Sequence, residues 1–231
     1  MFTMFELMLQ LPIFQGLSYM QLTEIIEKIP FCFAQYAPGD VIQERGEMCE
    51  QVLFVLNGTV QQTTPTFGGK IQIVQDFVGP HTLSFYYLFG VENHTNSELR
   101  ALTKVGMMHV EKKHFLKMLQ NNSIMLVNVM NMLSTHAQKQ HVAMEFTSLA
   151  DSTLRLASWL LAYTDKKATG IKIVADEETW KSLIRLEGAD FSRSIAILEG
   201  RGCLEMENDT LKLIDRYALR RFVGEKTVPK W

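Results

Sequence analysis

The sequence predicts an α+β chain with three parts: an N-terminal β-barrel or jelly roll, a long helix and a C-terminal winged helix-turn-helix. Three observations carry this. Short runs rich in β-branched and aromatic residues fill the first half, punctuated by the turn signals Ala37-Pro38-Gly39-Asp40, Arg45-Gly46, Asn57-Gly58 and Gly68-Gly69. Several such strands at short intervals describe a small barrel or sandwich. Between Lys112 and Phe146 there is neither Pro nor Gly, and apolar residues recur at three and four, as in a helix. From Ile171 to Ile214 the order is strand, helix, turn, helix and hairpin, which is that of a winged helix-turn-helix. The expected boundaries are 1–111, 112–147 and 148–231.

In chain order, Leu11-Pro12-Ile13-Phe14 with Leu17, Leu22, Ile25, Ile26 and Ile29 has helical spacing, which Pro30 ends. Val52, Phe54 and Leu56 alternate before Asn57-Gly58, the pattern of a strand entering a hairpin. In the long helix, Leu116, Leu119, Leu126, Met130, Leu133, Ala137 and Met144 fall on one stripe, with Ser123 and Gln140 completing the heptads. That stripe is a seam seeking a partner helix. A continuous helix of about 35 residues would be ~50 Å long, too long for one small barrel to cover, so a homodimer seam is expected.

Thr153–Ala162 reads as a compact amphipathic helix closed by Lys166-Lys167-Ala168-Thr169-Gly170. Asp176 is a natural N-cap for the next helix, with Thr179 at its third position and Trp180, Leu183 and Ile184 on its inner face. Phe191, Ile195 and Leu198 form the inner face of the following helix, which Gly200 and Gly202 end. Leu204 to Ile214 is then a two-stranded wing turning at Asn208-Asp209. Either Arg185 or Gly188 supplies the turn between the two helices.

Composition bounds the chemistry. The 231 residues are 47% hydrophobic and 21% charged, as in an ordinary globular protein. No apolar run reaches the ~18 residues of a membrane span, and Met1–Glu6 lacks the basic start of a secretory signal. Cys32, Cys49 and Cys203 are scattered, which argues against a cysteine-rich metal site and for a reducing, cytoplasmic setting. The six histidines include two pairs five apart, His109/His114 and His136/His141, a poor spacing for one helical face. No metal or cofactor is expected. Phosphate loop, nucleophile elbow and His-Glu-x-x-His motif are all missing, so no enzymatic activity is expected. The net charge of −2 divides unevenly: from Asp151 onward there are 14 Lys/Arg against 13 Asp/Glu, before it 9 against 12.

Set in order, these fragments resemble the Crp/Fnr family of bacterial transcription regulators over nearly the whole chain. Pro12-Ile-Phe-Gln-Gly-Leu17 is similar to the family's opening helix-turn. Tyr36-Ala-Pro-Gly-Asp-Val-Ile42 with Arg45-Gly46, and Leu53 to Val60, resemble its first barrel strands. Asp151-Ser-Thr-Leu-Arg-Leu-Ala157 looks like the opening of its DNA-binding domain, and Phe191-Ser192-Arg193 sits where the family has Val-Ser-Arg. The resemblance implies a homodimer on a near-palindromic operator in double-stranded DNA, a cyclic-nucleotide-binding-like sensor barrel with an unknown small-molecule effector, and RNA polymerase as a further partner. It also implies DNA contacts by Lys181, Arg185, Ser192, Arg193 and Arg201, and a dimer helix joined through Leu119, Leu126, Met130, Leu133 and Ala137.

Departures from the family matter more. Its cyclic-nucleotide binders carry Gly-Glu for the ribose and an Arg for the phosphate. Here Gly79 is followed by Pro80-His81, and no arginine lies between Arg45 and Arg100. Thr95-Asn96-Ser97 stands at the phosphate position, and Lys70 is the one base in the interval. A buried phosphodiester needs a fixed cation, so cyclic AMP binding by the family mechanism is not expected. Phe85, Tyr86 and Tyr87 either line an effector pocket together with Thr95, Asn96 and Ser97, or fill the space as core. In the reader, Glu187, Gly188, Ala189 and Asp190 occupy positions where relatives present polar residues to bases. The acids among them oppose a polyanion, which leaves a second reading open: an interaction module that keeps the fold and has lost DNA binding.

Overall fold

Two capped helices open the chain. Thr3 and Glu6 form a capping box at the start of α1 (Met4–Gln10), and Ser18 with Gln21 does the same for α2 (Tyr19–Lys28), each satisfying two otherwise orphaned N–H groups. Pro12 stands at the first position of an intervening 3-10 turn, Pro12–Phe14, where its missing N–H costs nothing. The opening is thus two short helices joined by a turn. The computed structural model describes residues 3–83, 85–146, 149–185 and 190–226. These fall into two units, 1–62 with 77–136 and 63–76 with 137–231.

The first unit is a two-sheet barrel. β1 (Cys32–Tyr36), β8 (Val105–Glu111), β3 (Gln51–Asn57) and β6 (His81–Leu83) lie side by side in one antiparallel sheet. β2 (Val41–Gln43) pairs with β7 (Glu98–Ala101), which neighbours β4 (Thr59–Thr66). β3 is buried on both faces. Val52, Phe54 and Leu56 join the helical residues Met8, Phe14 and Leu22 in one core cluster, while Leu53 and Val55 alternate to the opposite face. Asn57-Gly58 is not a hairpin, contrary to expectation. It is a corner that carries the chain from one sheet to the other, because β3 pairs with β8 and β6 while β4 lies in the second sheet. Gly58 has φ +85, and a Cβ there would sit 2.3 Å from the Lys104 carbonyl, so only glycine fits.

The long helix is broken. α3 (Lys112–Asn121) and α4 (Ser123–Phe146) meet at Asn122, whose backbone is extended at φ −141 and ψ 106. The Asn122 carboxamide oxygen accepts from Met125 N at 3.1 Å, so this residue caps a new helix instead of continuing the old one. Leu119, assigned to the seam, is 6% exposed in the core cluster with Phe115, Met118, Met125 and Val129. The other stripe members point outward: Leu116, Leu126, Met130 and Leu133 are all exposed, joined by Val127. Ala137 is exposed as well; the side chains of Gln140 and Met144 lie outside the described residues.

The second unit is a winged helix-turn-helix with one addition. α5 (Ser152–Tyr163), β9 (Gly170–Val174), α6 (Glu177–Ile184), α7 (Asp190–Gly200), β10 (Leu204–Glu207) and β11 (Thr210–Leu213) follow in the expected order. The wing turns at Asn208, φ +51. A further helix, α8 (Arg216–Lys226), was not foreseen. Nor was the closing of α5, which ends at Tyr163 well before Gly170; Thr164 caps it, and Arg216 donates to the carbonyls of Leu161 and Thr164. Gly170 instead begins β9.

The addition is the outer part of a hairpin. β4 and β5 (Ile71–Val78) join across the 3-10 turn Phe67–Gly69, and residues 63–76 belong to the second unit. β5 pairs antiparallel with β9, Ile73 opposite Ile173 and Gln75 opposite Ile171, so the wing sheet runs β10-β11-β9-β5. Ile71 and Ile73 join the core of Trp180, Leu198 and Leu211. The winged domain is therefore completed by residues about a hundred positions upstream. Trp159 and Trp180 both lie in this unit's core, so tryptophan fluorescence reports on it. Ile73→Ala is expected to lower its unfolding free energy by about 2–5 kcal/mol in urea titrations read by that fluorescence, whereas an unchanged midpoint would show that β5 adds nothing to the reader.

Candidate nucleic-acid interface and barrel interior

Local chemistry builds the helix-turn-helix. The Asp176 carboxylate accepts from Thr179 N at 2.6 Å, a charge-assisted cap that also meets the positive end of the helix. That bond holds its carboxyl below the ordinary range. Trp180 and Ile184 turn inward. Arg185 then takes the left-handed conformation, φ 50 and ψ 57, and closes α6 through its N–H to the Lys181 carbonyl, so Arg185 is the helix-ending residue. Glu187, Gly188 and Ala189 lie outside the described residues. Along α7, Phe191, Ser194, Ile195 and Leu198 are buried, with Phe191 stacked 6.2 Å from Trp180. The opposite face presents Ser192, Arg193, Ala196, Ile197 and Glu199 outward.

Of the five residues assigned to DNA, Ser192 and Arg193 stand on that outward face, and Arg185 and Arg201 are exposed at helix ends. Lys181 is held differently. It lies 2.8 Å from Glu177 and 3.7 Å from Glu178, and hydrogen bonding to Glu177 raises its pKa. Arg193 sits 3.5 Å from Asp190, one turn earlier on the same helix. On the wing Lys212 meets Glu207 at 2.6 Å. Arg201 lies 5.3 Å over the Phe222 ring, a cation–π placement. A groove of about 550 Å³ separates α7 from the wing, lined among others by Glu177, Phe191, Ile195, Glu199, Met206 and Asp209. The face thus sets an exposed helix beside a wing, with Lys181, Arg193 and Lys212 paired to neighbouring acids. Sequence reasoning missed Arg220 and Arg221, which are exposed on α8; no local signal marked that helix beyond its basic composition.

The barrel interior is neutral. Gln43 lies opposite Leu99 across β2 and β7, and Ser97 precedes Leu99 by two on the same face. Gln62 donates to Ser97 Oγ at 2.9 Å, and Ser97 N donates to Thr95 Oγ1. All four polar residues are buried, and among the described residues no Lys, Arg, Asp or Glu is buried. Arg100 alternates to the outer face, where it pairs with Glu98 at 2.8 Å and donates to the Gly39 carbonyl. Lys70 is exposed. In the aromatic segment, Phe85 and Tyr87 pack against the core cluster that joins the helices to β3 and β8, and Tyr86 stacks on His136 at 4.4 Å. Asn96 is half-buried beside Thr95 and Ser97.

Residues 33–122 match the family model of the cyclic nucleotide-binding domain. Among solved structures, the fold is similar to that of the catabolite activator protein of Thermus thermophilus, at 14% identity and a TM-score of 0.53, covering 94% of this chain and all of that one. DNR from Pseudomonas aeruginosa is also similar, at 20% identity and a TM-score of 0.45, covering 94% of this chain and 96% of that one. No match was found among curated proteins. The barrel thus matches the sequence pattern of a cyclic nucleotide-binding domain, and the chain is similar in fold to a catabolite activator protein.

His109 offers a check on the barrel. It is buried against Tyr36, its Nε2 has no partner, and burial pushes its pKa below the ordinary histidine value. Acid therefore protonates the unfolded chain first, and stability falls as pH drops below that ordinary value. His109→Phe is expected to flatten the fall between pH 7 and 5 in thermal unfolding followed by circular dichroism; an unaltered slope would place the sensitivity elsewhere.

Proposed function

We propose that the chain is a homodimeric transcription regulator that reads double-stranded DNA with α7. The observation that carries the reading is the inward anchoring of Phe191, Ile195 and Leu198, which leaves Ser192 and Arg193 on an exposed helix face beside a wing. In such motifs the second helix enters the major groove, where an arginine can donate twice to guanine. The likeness to a catabolite activator protein supports the fold but not the target. The exposed stripe Leu126, Val127, Met130 and Leu133 on α4 supports the dimer, because an apolar helix face of that kind seeks a partner. Dimerisation would set two α7 helices about a two-fold axis and call for half-sites about one helical turn apart. The neutral barrel interior argues against a cyclic phosphate as effector.

A second reading rests on the ion pairs. With Lys181, Arg193 and Lys212 held by carboxylates, the face gains little from phosphates, which suits an interaction module that has lost DNA binding.

Fluorescence anisotropy on duplex fragments from upstream of the chain's own gene separates the two. Each neutralised phosphate contributes about 0.9 to the logarithmic salt slope, so the paired bases predict a shallow slope. Arg193→Ala is expected to abolish discrimination between sequences. Asp190→Asn, which frees Arg193, is expected to raise affinity about two- to fivefold. Failure of wild type and Asp190→Asn alike to bind at low salt would favour the interaction module. For the dimer, Met130→Glu is expected to convert the sedimenting species to a monomer; a monomeric wild type at micromolar concentration would contradict the seam.

A further inference from the structure

The first turn of α5 grips both helices of the reader. Arg155 is half-buried and extends its guanidinium to four backbone carbonyls. Its Nε donates to Ile184 O at 2.8 Å and its Nη2 to Arg185 O at 2.9 Å, the last carbonyls of α6 and its left-handed cap. Its Nη1 donates to Leu149 O and to Ala150 O, in the segment that brings the chain from α4 to α5. Two residues earlier, Thr153 Oγ1 donates to Ser194 Oγ at 3.1 Å, and Ser152 Oγ lies 3.3 Å from the same hydroxyl. Ser194 is fully buried on α7.

We infer that Arg155 is a positioning residue: its guanidinium ties the incoming segment at Leu149–Ala150 to the C-terminal end of α6 at Ile184–Arg185, while Thr153 holds α7 at Ser194, so that one turn of α5 sets the two helices relative to each other. The chemistry selects arginine. Carbonyls at the end of a helix lack intrahelical partners and carry the negative end of its dipole. A planar fork of five N–H donors reaches carbonyls on two separate segments at once, which a lysine ammonium on a flexible stem cannot hold in fixed geometry. A neutral side chain would leave the same carbonyls without a charged donor. The Thr153–Ser194 bond holds α7 from the other side, so the two grips work as a bracket. A displacement of the segment at Leu149–Ala150 is thereby passed to the end of α6.

The DNA arm of the test rests on the reading proposed above; the exchange arm does not. In the full chain, amide hydrogen exchange is measured for Arg155→Lys, Arg155→Met and Ser194→Ala. Both Arg155 variants are expected to speed exchange about tenfold in a peptide covering residues 181–190. Peptides covering 156–162 and 210–213 are expected to keep wild-type protection. Lysine restores the charge and methionine the bulk, so rescue by either would overturn the assignment, as would a uniform loss of protection across the second unit. Ser194→Ala is expected to leave residues 181–185 unchanged and loosen the start of α7; wild-type protection there would remove the second grip. On DNA, Arg155→Lys is expected to lose sequence discrimination while keeping salt-dependent binding. If wild type binds no DNA, the functional reading fails and the exchange data alone decide the bracket.

Discussion

Burial of one face of α7 is the constraint on which the rest depends. Phe191, Ile195 and Leu198 are anchored in a core built around Trp159 and Trp180, whose rings meet edge to face at 5.1 Å. An α-helix with one face fixed has no rotational freedom left. Which residues face outward therefore follows from which face inward, and Ser192 and Arg193 are exposed because their neighbours are not. The hairpin strand β5 contributes Ile71 and Ile73 to that core, so the geometry of the reader is set partly by residues far upstream.

Shape and charge pull in different directions on this surface. The backbone offers an exposed helix face beside a wing, while Asp190, Glu177, Glu178 and Glu207 pair with Arg193, Lys181 and Lys212, bases that the proposed function would turn to phosphates. Exposed ion pairs of this kind are each worth no more than about 1 kcal/mol, so a polyanion can displace them at modest cost. The cost still subtracts from binding that is independent of sequence, and it falls most heavily on Arg193, which can also read a base. If the proposed function holds, binding gains less from the DNA backbone and depends more on the fit of α7. The barrel follows a parallel logic: its buried polar residues Gln62, Ser97 and Thr95 bond to one another, and its arginine at position 100 is turned outward to Glu98.

Much of the reader was legible because its signals are local. Asp176 with Thr179 marks a cap three residues long, Asn208-Asp209 marks a two-residue turn, and the spacing of Phe191, Ile195 and Leu198 marks a helix face. What escaped depended on partners remote in sequence. Asn57-Gly58 has the same letters in a hairpin as in a corner between sheets, and only the pairing of β3 with β8 distinguishes them. The pairing of β5 with β9 leaves no trace in either strand alone. Asn122 broke a helix that lacked Pro and Gly, because a carboxamide that caps one helix competes with the backbone ladder of another. Leu119 satisfied the heptad yet faced the core, since a stripe shows that a face is apolar without naming what covers it. The exposure of Ser192 and Arg193 was legible from the helix spacing, but the ion pair of Arg193 was not, because it requires the helix to exist before Asp190 and Arg193 can meet.

The central claim is that two copies of α7, related by a two-fold axis, read DNA sequence. Selection of the full-length protein on random duplex DNA tests it most directly. The account predicts enrichment of a near-palindrome whose half-sites lie about one helical turn, ~34 Å, apart. Enrichment of no sequence after repeated rounds at low salt would contradict it.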